Sequence, residues 1–138
     1  MHLCLDSSVI VAALRRQEKD HLPALKLLRQ IKDQEHIAIE PYTVLVEVVA
    51  AIRRRTGSKE LATRVKDDLL ALGTFRFVDL DAVSSSSAAG IAADIGVRGM
   101  DAIVIQVAKE FGIPLVTLDV EIIEKAKGIV EMPDLASL

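Results

Sequence analysis

A chain of 138 residues is long enough to bury one domain's core, and no repeat or linker-like stretch divides it. Half of it is apolar (51%), almost all aliphatic, and only 3% is aromatic. That balance suits helices packed on a sheet and leaves few rings on which bases could stack. The net charge of −3, from 17 basic and 20 acidic residues, gives no basic surplus of the kind that marks nucleic-acid binders. Setting four acids aside as a metal cluster would leave 16 acids against those 17 bases, so charge alone decides little. The one cysteine, Cys4, lies in an apolar run and reads as a small buried hydrophobe; no intrachain disulfide is possible. Asp6 interrupts the first apolar run, so no signal peptide is visible, and no apolar stretch approaches the ~20 residues of a membrane span. A soluble, cytoplasmic protein is expected.

Taken in chain order, short apolar runs alternate with longer helical patterns. His2–Leu5 reads as a strand stopped by Asp6-Ser7-Ser8, with a helix over Val9–Leu14. Pro23 sits near the start of a second helix, striped by Leu25, Leu28 and Ile31. His36–Ile39 is a second strand, closed by Glu40-Pro41, and an apolar helix runs from Thr43 to about Arg55 with Gly57 as its stop. Lys59 to Leu72 is a further helix, with Leu61, Val65, Leu69 and Leu72 on one face. Phe75–Leu80 is a third strand, and the Ser- and Ala-rich Ala82–Ile95 favours a helix with a polar face. No His base or Gly-x-Ser-x-Gly turn accompanies Ser84–Ser87, so no nucleophilic serine is read there. A helix from about Asp101 to Phe111 stops at Gly112 and Pro114. Leu115–Leu118 is a fourth strand, Val120–Lys127 a short helix, and Ile129–Met132 a candidate fifth strand. Short strands alternating with helices imply a parallel sheet with helices on both faces.

Four acids stand out. Glu47 lies in Val44-Leu45-Val46-Glu47-Val48-Val49-Ala50-Ala51-Ile52, and its helical neighbours at three and four residues are Thr43, Val44, Ala50 and Ala51. No intrahelical ion pair can neutralise it. It requires a distant basic partner, a solvent-facing position, or a cation. Asp6 and Asp119 each end a short apolar strand, where open parallel sheets place their ligands. Asp101 opens a helix. Each of these three aspartates could simply cap the helix that follows it. Capping leaves Glu47 unexplained, whereas a shared cation accounts for all four.

Carboxylates converging on one crevice repel each other unless cations compensate. Oxygen-only ligands select hard ions such as Mg²⁺ or Mn²⁺, one or two of them, rather than zinc. His2, His21 and His36 are scattered and read as surface residues. Divalent ions can bind both the attacking and the leaving oxygen of a phosphodiester and lower the pKa of a bound water, so no histidine base is required.

The motifs resemble those of PIN domains, in order and over most of the chain. Leu3-Cys4-Leu5-Asp6-Ser7-Ser8-Val9-Ile10 is similar to the family's opening strand, and Val44-Leu45-Val46-Glu47-Val48 to its helical glutamate motif. Gly99-Met100-Asp101-Ala102, with Ala108, and Gly112-Ile113-Pro114-Leu115-Val116-Thr117-Leu118-Asp119 resemble its last two acidic motifs, and His21–Ile31 its second helix. The resemblance implies one PIN-like domain over residues 1–138, a three-layer α/β/α fold around a parallel sheet of four to five short strands. It implies endonucleolytic cleavage of RNA with Mg²⁺ or Mn²⁺, commonly as the VapC-like toxin of a toxin–antitoxin pair, often a homodimer held inactive by a small antitoxin. By the same carry-over Asp6, Asp101 and Asp119 are metal ligands and Glu47 positions metal or water. Ser7 or Thr117 would hydrogen-bond a carboxylate or the phosphate. One departure is that Val120-Glu121 follows Asp119 where a second adjacent acid is expected, leaving Glu121 or Glu124 as replacements.

Arg53, Arg54 and Arg55, Arg15 and Arg16, and Arg98 could contact RNA phosphates, or at helix ends could simply complement the dipole. The competing readings are a catalytically silent PIN-like module that binds RNA or protein, and a phosphoacceptor receiver domain. The receiver needs paired acids after its first strand, where Asp6-Ser7-Ser8 supplies one. A dinucleotide fold is disfavoured by the lack of Gly-x-Gly-x-x-Gly after a strand.

Overall fold

The computed structural model describes all residues from Met1 to Leu138. In chain order the elements are β1 (His2–Leu5), α1 (Ser7–Leu14), α2 (His21–Lys32), β2 (Ile37–Pro41), α3 (Tyr42–Thr56) and α4 (Lys59–Ala71). Then come β3 (Phe75–Val78), α5 (Ala82–Ile95), α6 (Gly99–Phe111), β4 (Leu115–Val116), α7 (Val120–Lys125) and a closing 3-10 turn at Leu135–Ser137.

The strands form one sheet in the order β3-β2-β1-β4, and every neighbouring pair is parallel. Leu3, Cys4 and Leu5 are all buried to within 1% although successive strand residues face opposite sides, so both faces of the sheet are covered. The result is the three-layer α/β/α arrangement that the sequence predicts. From β1 the chain moves to β2 and β3 on one side, and only with β4 does it return to the other. Strand order therefore reverses between β1 and β4. A parallel sheet opens a crevice at such a switch point, outside the carboxyl ends of the two strands, and Asp6 and Thr117 are the residues that directly follow them.

Local sequence sets the helix ends. Gly57 adopts φ 70° and its N–H returns to the Arg53 carbonyl, ending α3; Ser58 Oγ then accepts from Leu61 N–H at 3.0 Å to start α4. The serine-rich stretch proves to be capped helix: Asp81 accepts from Ser84 N–H at 2.8 Å, and Ser84 Oγ accepts from Asp81 N–H at 2.9 Å. Buried Val44, Leu45, Val48 and Ile52 give α3 its core stripe.

Several boundaries differ from expectation: β3, β4 and α7 each stop two residues short, and β2 runs on through Pro41. α1 begins at Ser7 and α6 at Gly99, each two residues early. The candidate strand at Ile129–Met132 does not form. Gly128, at φ 89°, turns the chain, leaving one bridge between Lys127 and Val130 and one bond from Leu115 N–H to the Glu131 carbonyl at 2.8 Å. The sheet therefore has four strands. No helix is long and apolar enough to cross a membrane.

Candidate active site

A crevice of about 940 Å³ opens at the β1/β4 switch point, and Asp6, Glu47, Asp101 and Asp119 all line it. They arrive from four elements: the end of β1, the middle of α3, the first turn of α6 and the start of α7.

Asp6 is 5% exposed. It stands at the N-cap of α1 but makes no capping bond. Its Oδ2 instead accepts from Ser8 Oγ at 2.6 Å and Thr117 Oγ1 at 3.0 Å. Both hydroxyls are fixed in turn by accepting backbone amides, Ser8 from Leu118 at 3.2 Å and Thr117 from Asp119 at 3.0 Å. Thr117 thus takes one of the hydrogen-bonding roles expected of it. Ser7 lines the crevice but makes no such bond; starting α1 at Ser7 brings the hydroxyl of Ser8 back to Asp6 instead.

Glu47 makes no hydrogen bond and no ion pair. Partial burial pushes its pKa up, and the charges of Asp6 and Asp101 push it further, against a smaller opposing pull from Arg98. Asp101, 8% exposed, is also raised, first by burial and then by Asp6 and Asp119, although Arg98 acts against this. It makes no helix cap. Capping does explain half of Asp119: Oδ1 accepts from the N–H groups of Glu121 at 2.9 Å and Ile122 at 3.3 Å. Its Oδ2 faces Arg98.

Arg98 spans two of the acids. Its Nε donates to Asp101 Oδ2 at 3.1 Å and its Nη2 to Asp119 Oδ2 at 2.8 Å. It is the only cation paired with any of the four carboxylates. Of the other arginines singled out in the sequence, Arg54 and Arg55 line the crevice, as does Lys19; Arg15, Arg16 and Arg53 do not. Arg15 and Arg55 both pair with Glu18, at 3.8 and 2.6 Å. Glu121 pairs with Lys125 one helical turn on, at 2.8 Å, and neither it nor Glu124 lines the crevice. No histidine lines it either.

Sequence reasoning missed Glu40. It is 0% exposed, and its Oε1 accepts from Leu5 N–H at 2.6 Å, one residue before Asp6. Burial pushes its pKa well up, as it does for the neighbouring Cys4 thiol. A strand-end Glu-Pro reads as a boundary, and nothing local marks Glu40 as buried beneath the site.

The donor set suits a hard divalent cation: all oxygen, from acids whose mutual repulsion one arginine only partly offsets. No three of these side chains stand close enough to enclose an ion in this geometry. Asp101 and Asp119 are instead drawn onto Arg98.

Fold and crevice together define a doubly wound α/β protein with an all-oxygen acidic site at its switch point. Within that class the chain belongs to the PIN-domain family, whose sequence model matches residues 3–128. No curated protein matches the sequence. Solved structures share the fold at low identity. VapC20 of Mycobacterium tuberculosis, described as a sarcin-ricin-loop-cleaving toxin, superposes with TM-score 0.77 at 20% identity, over 94% of this chain and 97% of that one. VapBC2 of Rickettsia felis, bound to a DNA fragment from its promoter, gives 0.68 at 17% identity, over 97% and 98%. DNA-bound VapBC of Salmonella typhimurium gives 0.68 at 14% identity, over 98% of each chain.

Proposed function

We propose that this PIN-domain protein is a Mg²⁺- or Mn²⁺-dependent endoribonuclease, the toxin of a cytoplasmic toxin–antitoxin pair. The observation behind this reading is the convergence of four carboxylates on one switch-point site, three of which, Asp6, Glu47 and Asp101, have no capping role. The likeness to toxin–antitoxin complexes supports an antitoxin partner; a homodimer enters the proposal only from the family resemblance of the sequence motifs.

Asp6, Asp101 and Asp119 would hold the ion, with Glu47 beside them to position ion or water. When bound, the ion supplies Lewis-acid polarisation of the phosphodiester and a water of lowered pKa. The chain's own residues do the rest. Ser8 and Thr117 orient Asp6 by two hydrogen bonds and leave its Oδ1 without a protein partner. Glu47 lines the same crevice with no hydrogen-bond or ion-pair partner of its own, so its carboxylate is left to position ion or water. Arg54 and Lys19 put positive charge on the crevice wall, where an RNA backbone would run, while Arg55 is paired with Glu18 on the same wall.

Asp101→Asn should lower Mn²⁺-dependent cleavage of single-stranded RNA by about a hundredfold or more while leaving the circular dichroism spectrum unchanged. Equal cleavage by variant and parent would overturn the assignment. Absence of cleavage by the parent with either ion, on single-stranded and structured RNA alike, would favour the silent binding module.

A further inference from the structure

Two features of the crevice meet at Arg98. Asp119 has committed Oδ1 to two backbone amides, so Oδ2 is the only oxygen it can turn outward, and Arg98 Nη2 holds that oxygen at 2.8 Å. On Asp101 the same guanidinium holds Oδ2 at 3.1 Å. A divalent ion drawing on both carboxylates would need Asp119 Oδ2, and at either acid it would face the positive charge that Arg98 already seats between them.

Arg98 can leave. Its side chain is 67% exposed, whereas those of Asp101 and Asp119 are 11% and 25% exposed. It makes no side-chain bond other than these two, and it stands just outside α6, at the N-cap. The partners are anchored and the cation between them is loose.

We propose that Arg98 is an exchangeable internal counter-ion. It ties Asp101 to Asp119 while no divalent ion is present, and swings out when one binds. This rests on the metal reading above and adds to it. Metal entry is an exchange of one cation for another, and the metal-free site is kept closed by its own arginine. Once displaced, the guanidinium stands at the crevice mouth, free to meet a phosphate.

Mn²⁺ binding to metal-free protein, followed through the electron paramagnetic resonance signal of free Mn²⁺, separates the outcomes. Arg98→Gln should bind Mn²⁺ about three- to tenfold more tightly than the parent. Arg54→Gln removes an equal charge from the crevice wall without touching a bridge, and should change affinity by less than about twofold. Without metal, Arg98→Gln should melt below the parent, and saturating Mn²⁺ should close that gap. Unchanged or weaker binding by Arg98→Gln would overturn the proposal, as would an equal gain in Arg54→Gln or a melting gap that persists in Mn²⁺. In each of those cases binding by the parent leaves the metal reading standing. Failure of both the parent and Arg98→Gln to bind Mn²⁺ removes the metal reading and this proposal together.

Discussion

The two sides of the crevice hold their carboxylates by opposite means. On the β1 side, Asp6 is buried and fixed by two neutral hydroxyls, each locked to a backbone amide. On the α6 side, Asp101 and Asp119 are joined by one exposed, charged side chain. Neutral donors in a buried setting fix a geometry and leave the negative charge in place. An exposed cation cancels charge but sets geometry loosely, because water and salt compete for it. One side is built to stay put, the other to rearrange, and Glu47 faces both without a partner of its own.

The rigid side can be broken from beneath. Glu40→Ala removes the carboxyl that satisfies Leu5 N–H and opens a cavity under Asp6, and should cost about 2–4 kcal/mol in chemical denaturation. Glu40→Gln keeps an acceptor for that amide and should stay within about 1 kcal/mol of the parent. Equal losses in the two variants would mean that the bond to Leu5 contributes nothing.

Thr117→Val keeps the volume and deletes one of the two hydroxyls, leaving Asp6 Oδ2 and Asp119 N–H each one partner short. A loss of about 1–3 kcal/mol is expected, with about a tenfold fall in Mn²⁺ affinity by calorimetry. Ser7→Ala, which removes no such bond, should match the parent in both; a similar fall there would shift the supporting role back to Ser7.

The smallest effect concerns pH. Folding raises the pKa of Glu47 and Asp101, so the native state holds protons more tightly than the unfolded chain. Their contribution to metal-free stability is therefore full below the ordinary carboxylate range. It is lost as pH rises through the raised values. Glu47→Gln should flatten that decline in EDTA, matching the parent in acid and exceeding it slightly above neutrality. A parent and variant that fall together across the range would show that Glu47 does not feel its neighbours.

The fold was legible because its signals are local. Apolar runs of strand length, glycine stops and the alternation of strand and helix are enough to place the elements and the parallel sheet. The fifth strand failed because the positive-φ turn at Gly128 outweighs a short run, Ile129 to Met132, that Glu131 already interrupts. In the site, the aspartates were legible through their position at strand and helix ends, and Glu47 through its unbroken apolar surroundings. Contacts between distant parts of the chain were not. Asp6 and Thr117 lie 111 residues apart, and Leu5 and Glu40 lie 35 apart. Choosing Ser8 over Ser7 depends on where α1 begins, which sequence pattern sets only to within a residue or two. Arg98 was visible as a basic residue near an acid, but its reach to Asp119 depends on how α6 and α7 meet.

The central claim is that these four acids form one divalent-cation site at the β1/β4 switch point. Anomalous diffraction from crystals grown with Mn²⁺ tests it most directly. The account predicts a peak in coordination distance of Asp6 and Asp101 oxygens, with the Arg98 guanidinium moved off Asp119. A crevice with no peak, and with Arg98 still bridging both carboxylates at saturating Mn²⁺, would contradict it.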